Sequence, residues 1–173
     1  MLFIYQIFFS LLLIISPAII IIRILKNKED HKRFVEKFVF PTKKRKKGNL
    51  IWFHGASVGE ILSIIPVIKN YEKKKSISQI LITSSTLSSS RVLKKFNFKK
   101  TIHQFYPIDH IIFTNKFIKY WKPTAAIFIE SEIWPCMFSD LKSKKIPLIL
   151  LNARLTTKTF KRWMKIESFS KSI

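Results

Sequence analysis

The chain has 173 residues, which suffice for one domain with a substantial core behind an apolar N-terminal segment. Its 32 lysine and arginine residues outnumber its 10 aspartate and glutamate residues and give a formal charge of +22. Such a charge suits nucleic-acid binding, but lysine, isoleucine and phenylalanine are abundant together while glycine is scarce, which indicates compositional drift. The single cysteine, Cys136, excludes a disulfide framework or a cysteine metal cluster within the chain. We therefore expect no nucleic-acid partner, no metal and no cofactor.

The first predicted element is a membrane anchor over residues 1–25. Residues 1–22 contain no charged side chain, and a helix from Leu2 to Ile22 at about 1.5 Å per residue spans roughly the 30 Å hydrocarbon core. No basic residue precedes the apolar run and no small-residue cleavage site follows it, which favours a retained anchor over a cleaved signal. Basic residues follow at once, so we expect a single-pass anchor in the inner membrane with the domain facing the cytoplasm.

Residues 26–48 form a predicted basic juxtamembrane segment. Its densest run, at residues 43–47, consists of five consecutive basic residues. Beside an anchor, each basic residue gains about 1 kcal/mol from an anionic lipid surface. Adhesion to the membrane therefore explains this run without a nucleic acid.

From residue 49 to residue 173, short apolar runs alternate with segments of helical periodicity. The predicted strands cover 50–54, 79–83, 103–106, 125–129 and 147–151. The predicted helices cover 58–71, 90–96, a segment capped by Asp109 that ends near Trp121, a segment after Pro135, and a last segment after Arg154. This alternation predicts an α/β, Rossmann-like domain with a parallel sheet, in which ligands lie at the carboxyl ends of the strands.

Three carboxylates stand apart from the other acidic residues, most of which lie among lysines. Glu60 ends the sequence GASVGE after the first strand, and Glu130 and Glu132 lie in ESEIWP after the fourth. A carboxylate in apolar surroundings at a strand end suits a proton acceptor. Glu60 is otherwise a helix-start carboxylate favoured by the helix dipole, and Glu130 a buried partner of Arg154. Two carboxylates from different strands at one rim favour the functional interpretation.

The first turn also has the pattern Gly-x-Ser-x-Gly through Gly55, Ser57 and Gly59, as in the nucleophile elbow of α/β hydrolases. This alternative makes Ser57 the nucleophile of an esterase, with Asp109 and His110 as the downstream acid and histidine. These two are neighbours on one loop, whereas a catalytic triad needs the acid behind the histidine. The elbow also normally follows several strands, and here it follows the first. The esterase is therefore the weaker hypothesis.

Together these features resemble the Kdo (3-deoxy-D-manno-octulosonic acid) transferases of lipopolysaccharide assembly. The resemblance rests on the apolar and basic N-terminal segments, HGASVGE at 54–60, ESEIWP at 130–135, and Ile-Pro at 146–147 before NARL at 152–155. It implies the N-terminal, acceptor-side half of a GT-B glycosyltransferase, which transfers Kdo from CMP-Kdo to a lipid A precursor (lipid IVA). It also implies Glu60 as the general base and Glu130 as the carboxylate that stabilises the transition state.

Ser57, Gly59 and Arg154 are the expected substrate-binding residues, with Arg154 suited to acceptor phosphates. The anchor and the basic segment are expected to hold Glu60 near the lipid headgroups. Two departures from the family matter: the turn at residues 83–89 lacks the usual proline and glycine, and relatives continue beyond Ile173 into a donor domain. We therefore expect most of the CMP-Kdo site to lie outside this chain and the chain alone to transfer little Kdo. The alternative is a non-catalytic membrane-surface binding domain left from such an enzyme.

Overall fold

Five parallel strands form the centre of the domain. The computed structural model describes residues 2–130 and 133–153, and the sheet in this part has the order β3-β2-β1-β4-β5. The strands are β1 (Leu50–His54), β2 (Gln79–Ser84), β3 (Thr101–Phe105), β4 (Ala125–Ile129) and β5 (Leu148–Leu151). All neighbouring strands are parallel, which confirms the predicted Rossmann-like sheet. The strand order reverses between β1 and β4, the switch point where such sheets open a crevice.

Helices cover both faces of the sheet. They are α1 (Leu2–Leu25), α2 (Val58–Ser63), α3 (Ile65–Lys73), α4 (Leu87–Leu93), α5 (Ile111–Trp121) and α6 (Pro135–Ser143), with a 3₁₀ helix at Phe34–Phe38. Successive side chains of β1 point to opposite faces, so Trp52 packs with α5 and α6 while Phe53 packs with α2, α3 and α4. Both faces are therefore apolar and buried, and polar groups gather at the strand ends.

Several predicted boundaries differ from the structure. The helix predicted over 58–71 breaks at Ile64, because Pro66 has no N–H with which to continue the helical hydrogen bonds. The helix predicted from residue 90 begins at Leu87, because Thr86 Oγ1 accepts a hydrogen bond from the Ser89 N–H (3.2 Å) and caps it. β3 begins two residues earlier than predicted. The helix predicted after Arg154 lies outside the described residues.

Asp109 does not cap the helix that follows it in sequence, where His110 is the capping residue. Its carboxylate instead lies at the start of α6 and accepts hydrogen bonds from the N–H groups of Cys136 (3.0 Å) and Met137 (2.9 Å). It also accepts one from the hydroxyl of Tyr5 (2.8 Å). The predicted cap of α5 is therefore wrong, since Asp109 binds the first N–H groups of α6 and the Tyr5 hydroxyl of α1.

Replacing Asp109 with alanine is expected to lower the free energy of unfolding by about 1–3 kcal/mol, because two buried N–H groups and the partly buried hydroxyl of Tyr5 lose their acceptor. Burial raises the pKa of this carboxyl, although its three hydrogen-bond donors oppose the shift. Asp109→Asn, which keeps one acceptor oxygen, should lose less. Urea denaturation followed by circular dichroism measures both losses. Equal stability of the alanine variant and the unmodified chain would contradict the capping role.

α1 packs against the domain through polar contacts. The hydroxyl of Tyr5 binds Asp109, and Ser10 Oγ lies 3.2 Å from His110 Nε2. Within the part of the chain that the structure describes, no helix combines the length and apolar character needed to cross a membrane. The membrane-spanning anchor predicted over residues 1–25 is therefore not supported.

The segment 26–48 also folds onto the domain, along the edge strand β3. Arg33 binds both carboxylate oxygens of the fully buried Glu36, through Nε to Oε1 and Nη2 to Oε2, each at 2.9 Å. Glu36 also accepts a hydrogen bond from the N–H of Phe105 (2.7 Å), and Arg33 donates one to the carbonyl of His103 (2.8 Å). These contacts cover an edge that otherwise presents unpaired backbone groups.

The basic run at residues 43–47 lies at the amino end of the sheet. Within it, Arg45 donates hydrogen bonds to the carbonyl oxygens of Trp121 and Lys122 at the end of α5. A cation is favoured there because the helix dipole is negative at its C-terminus. Glu60 follows the carboxyl end of β1, at the other end of the sheet. The run at residues 43–47 therefore lies away from Glu60, and the expectation that the anchor and the basic segment together hold Glu60 near the headgroups stays a prediction.

Candidate active site

The loops after β1 and β4 lie side by side at the carboxyl end of the sheet. In the register of these two strands His54 pairs with Phe128. The chain continues from His54 into the loop that carries Glu60, and Glu130 directly follows β4. The structure therefore brings the two predicted carboxylate loops to one rim, at the switch point of the sheet.

Glu60 takes part in a variant of the capping box at the start of α2, in which its side chain reaches the N–H of the residue before the N-cap. Ser57 is the N-cap, and its Oγ accepts a hydrogen bond from the Glu60 N–H (3.2 Å). In return, Glu60 Oε2 accepts one from the N–H of Ala56 (2.8 Å). Gly55 permits this approach, because a Cβ there would lie 3.2 Å from the Cβ of Glu60. The alternative interpretation of Glu60 as a helix-start carboxylate is thus correct for its Oε2 atom. The same hydrogen bond fixes the orientation of the carboxylate, which is half-buried at the rim.

Glu130 has a left-handed backbone conformation, with φ of +60°. Its N–H donates a hydrogen bond to the carbonyl of Leu151 (2.8 Å), which ties the turn to the end of β5. A non-glycine residue in this conformation costs about 1–3 kcal/mol, and such residues cluster at functional sites. Its alternative partner Arg154 and the neighbouring Glu132 lie outside the described residues.

Ser57 and Gly59 are exposed at the same rim. A Cβ at Gly59 would meet only Ser57 Oγ, at 3.9 Å, so there is open space beside this turn. The contact of Ser57 and Gly59 with substrate stays a prediction. Since both residues are exposed, a substrate can reach this rim.

The structure does not support the esterase alternative. Ser57 has an ordinary extended backbone (φ −105°, ψ 164°), not the strained turn of a nucleophile elbow. The acid of that hypothesis, Asp109, is engaged at the start of α6 and with Tyr5. His110 contacts Ser10 and caps α5. These contacts, in the part of the chain described, do not form an acid–histidine–serine relay.

His54 lies beneath the rim. From the sequence alone it is interpreted only as a residue at the edge of the core. It is fully buried, and its ring contacts Trp134 Nε1 through Nε2 (3.2 Å) and Thr83 Oγ1 through Nδ1 (2.9 Å). Burial lowers its pKa to about 3, so the ring is neutral. Trp134 is 80 residues away in the chain, and no local pattern could have paired the two.

Lowering the pH is expected to destabilise the fold between about pH 6.5, the ordinary histidine pKa, and pH 3. In this window the unfolded chain binds a proton at His54 that the folded chain does not, so stability rises with pH by up to about 1.4 kcal/mol per unit. His103 acts in the same direction, because burial and the charge of Arg33 lower its pKa. Urea denaturation at several pH values measures the slope. His54→Gln should reduce it, and an unchanged slope would exclude His54 as its source.

The region that carries these loops matches a known family. The family model described as "3-Deoxy-D-manno-octulosonic-acid transferase (kdotransferase)" matches residues 32–173. "Probable 3-deoxy-D-manno-octulosonic acid transferase, mitochondrial" of Arabidopsis thaliana is 40% identical over 164 residues, which cover 93% of this chain and 37% of that protein. The corresponding transferase of Rickettsia felis is 46% identical over 121 residues, 70% of this chain and 26% of that protein. The transferase of Haemophilus influenzae is 28% identical over 169 residues, which cover 92% of this chain and 38% of that protein.

This chain therefore spans between 26% and 38% of the length of these three relatives. The family match includes both carboxylate loops and the edge contacts of Arg33. A match over most of the chain, together with the parallel sheet, shows that this protein belongs to the Kdo transferase family, in which it corresponds to the N-terminal domain.

Proposed function

We propose that this chain supplies the acceptor-side half of a glycosyltransferase that moves Kdo from CMP-Kdo to a lipid A precursor, lipid IVA. The observation that carries the proposal is the placement of Glu60 and Glu130 after neighbouring strands, β1 and β4, at the switch point of the sheet. Family membership supplies the reaction class. Because the acceptor is a lipid, the reaction belongs at the cytoplasmic face of the inner membrane.

In the proposed reaction, a hydroxyl of the acceptor attacks the anomeric carbon of Kdo while CMP leaves. Glu60 takes the proton of that hydroxyl as the general base. Its capping bond with the Ala56 N–H supports this role, because a carboxylate that is already oriented loses less freedom when substrate binds.

Glu130 stabilises the positive charge that develops on the transferred sugar, a contribution that reaches several kcal/mol in a water-poor site. Its strained backbone supports a functional constraint on this turn. Ser57 and Gly59 contact the acceptor at the rim, and Arg154 binds an acceptor phosphate.

The test supplies the remaining segment of one relative, produced separately, and measures Kdo transfer from CMP-Kdo to lipid IVA. Transfer should require this chain, and Glu130→Gln should slow it by about 10²–10³-fold. The matched control is Glu72→Gln. Glu72 lies in α3 and accepts a hydrogen bond from Thr101 Oγ1 (2.6 Å) at the amino end of β3, away from the rim, so this variant should leave the transfer rate nearly unchanged.

Transfer that proceeds equally with Glu130→Gln would refute the assigned role of Glu130. Binding of the chain to lipid vesicles without any turnover would instead favour the alternative, a non-catalytic membrane-surface domain.

A further inference from the structure

A chain of hydrogen bonds, buried except at its Trp134 end, links the loop after β4 to strands β1 and β2. An indole N–H can only donate, so the contact of Trp134 Nε1 with His54 Nε2 (3.2 Å) requires a lone pair on that nitrogen. The ring proton of His54 is then on Nδ1, which donates to Thr83 Oγ1 (2.9 Å). Thr83 Oγ1 also accepts from Trp52 Nε1 (2.8 Å), and its own proton points to the carbonyl of Phe53 (3.4 Å). Nδ1 of His54 also lies 3.2 Å from the carbonyl oxygen of Thr83, so both acceptors for its proton belong to the same residue of β2.

His54 cannot accept a second proton without breaking this arrangement. A proton on Nε2 would face the indole N–H of Trp134, and two donors repel. The charged ring would also be buried away from water, which is the main reason that its pKa falls to about 3. His54 is therefore a fixed, neutral connector and not a proton carrier.

We infer that the hydrogen bond between Trp134 and His54 sets the position of the Glu130 loop relative to the Glu60 loop. Trp134 is four residues after Glu130 and forms the N-cap of α6. His54 is the last residue of β1, directly before the turn that leads to Glu60. The inference rests on the proposed function, because the groups it positions are the proposed base and the proposed stabilising carboxylate.

Aromatic packing holds this pair in place. The ring centroid of Tyr106 lies 4.0 Å from that of His54 and 5.1 Å from that of Trp134. Phe128 lies against the same histidine ring, at 4.9 Å. These rings pack around the imidazole, which is fully buried although Trp134 is partly exposed, and a hydrogen bond to a buried acceptor is stronger than one in water.

The first test is Trp134→Phe, which removes the N–H donor and keeps an aromatic ring. In the transfer assay its kcat should be about tenfold lower while the KM for CMP-Kdo changes less than about twofold, because a displaced loop loses transition-state contacts first. The control is Trp121→Phe, which should leave kcat unchanged. Trp121 is buried in the same core, and its indole N–H has no hydrogen-bond partner among the residues that the structure describes.

The second test restores the bond by other means. The side-chain oxygen of glutamine can accept from Trp134, so His54→Gln should keep more activity than His54→Leu. A merely structural role would lower the stability of both variants without separating their kcat values. Equal kcat values for Trp134→Phe and Trp121→Phe would overturn the inference.

A measurement of amide chemical shifts, which needs no enzymatic turnover, separates this inference from the proposed function. In ¹⁵N-labelled chain in detergent, the backbone amides of Glu60 and Glu130 should shift in Trp134→Phe and stay in place in Trp121→Phe. If the unmodified chain supports no Kdo transfer, the proposed function fails, yet these shifts still decide the coupling. Unshifted amides in Trp134→Phe would overturn it.

Discussion

Replacing Glu60, the proposed general base, with glutamine is expected to slow Kdo transfer in the combined assay by about 10²–10⁴-fold while the domain stays folded, because a general base contributes about that factor. Glutamine has the same shape as glutamate, and its side-chain oxygen can still accept the hydrogen bond from the N–H of Ala56. Ser57 Oγ can still accept from the N–H of residue 60. The capping box therefore survives, and only the ability to take a proton is lost.

Two further variants separate catalysis from capping. Glu60→Ala loses both the base and the capping bond, so it should lower the transfer rate and also the melting temperature. Ser57→Ala loses the N-cap hydroxyl, which lowers stability by about 1 kcal/mol, and should keep most of the transfer rate if Ser57 only assists in binding. Rates come from the combined assay and stability from thermal unfolding. A Glu60→Gln variant that transfers Kdo as fast as the unmodified chain would refute the assignment of the base.

Much of the sheet could be predicted because the buried strands are short apolar runs between polar turns. β1 and β4 were predicted with the bounds that the structure has, 50–54 and 125–129. The rim followed from the topology of parallel sheets, which places every strand's carboxyl end at one edge. The loops of Glu60 and Glu130 were found because each holds a carboxylate without a nearby cation in sequence.

Contacts between distant residues could not be predicted in the same way. Asp109 precedes α5, and local spacing favoured it as the cap of that helix. In the fold it lies at α6, with donors 27 and 28 residues further along the chain. His54 and Trp134 are likewise joined only by the packing of β1 against β4.

The basic segment shows a second limit of sequence patterns. Its charge predicts a solvated surface or a lipid partner. The number of lysines and arginines does not show which of these side chains contacts a buried carboxylate. Arg33 binds Glu36 and the carbonyl of His103 in β3, whereas Arg45 binds carbonyl oxygens at the end of α5. Their roles are therefore set by the tertiary structure.

Replacing Arg33 with methionine is expected to lower the free energy of unfolding by about 3–5 kcal/mol, because it leaves the charge of Glu36 buried without a cation. The carboxylate of Glu36 is fully buried, and its other partners are the hydroxyl of Thr42 and the N–H of Phe105. Two neutral donors do not replace a bidentate guanidinium. Urea denaturation at neutral pH measures the loss.

The neighbouring Lys32 provides the control, since it is exposed and Lys32→Met removes the same charge from the same segment. If the segment acted only through its charge, the two methionine variants would lose equal stability. The double variant Arg33→Met/Glu36→Gln should recover part of the loss, because it removes the uncompensated charge together with its partner. Its recovery would show that the pair closes the edge of β3 as a unit, so that part of the basic segment is integral to the domain that presents Glu60.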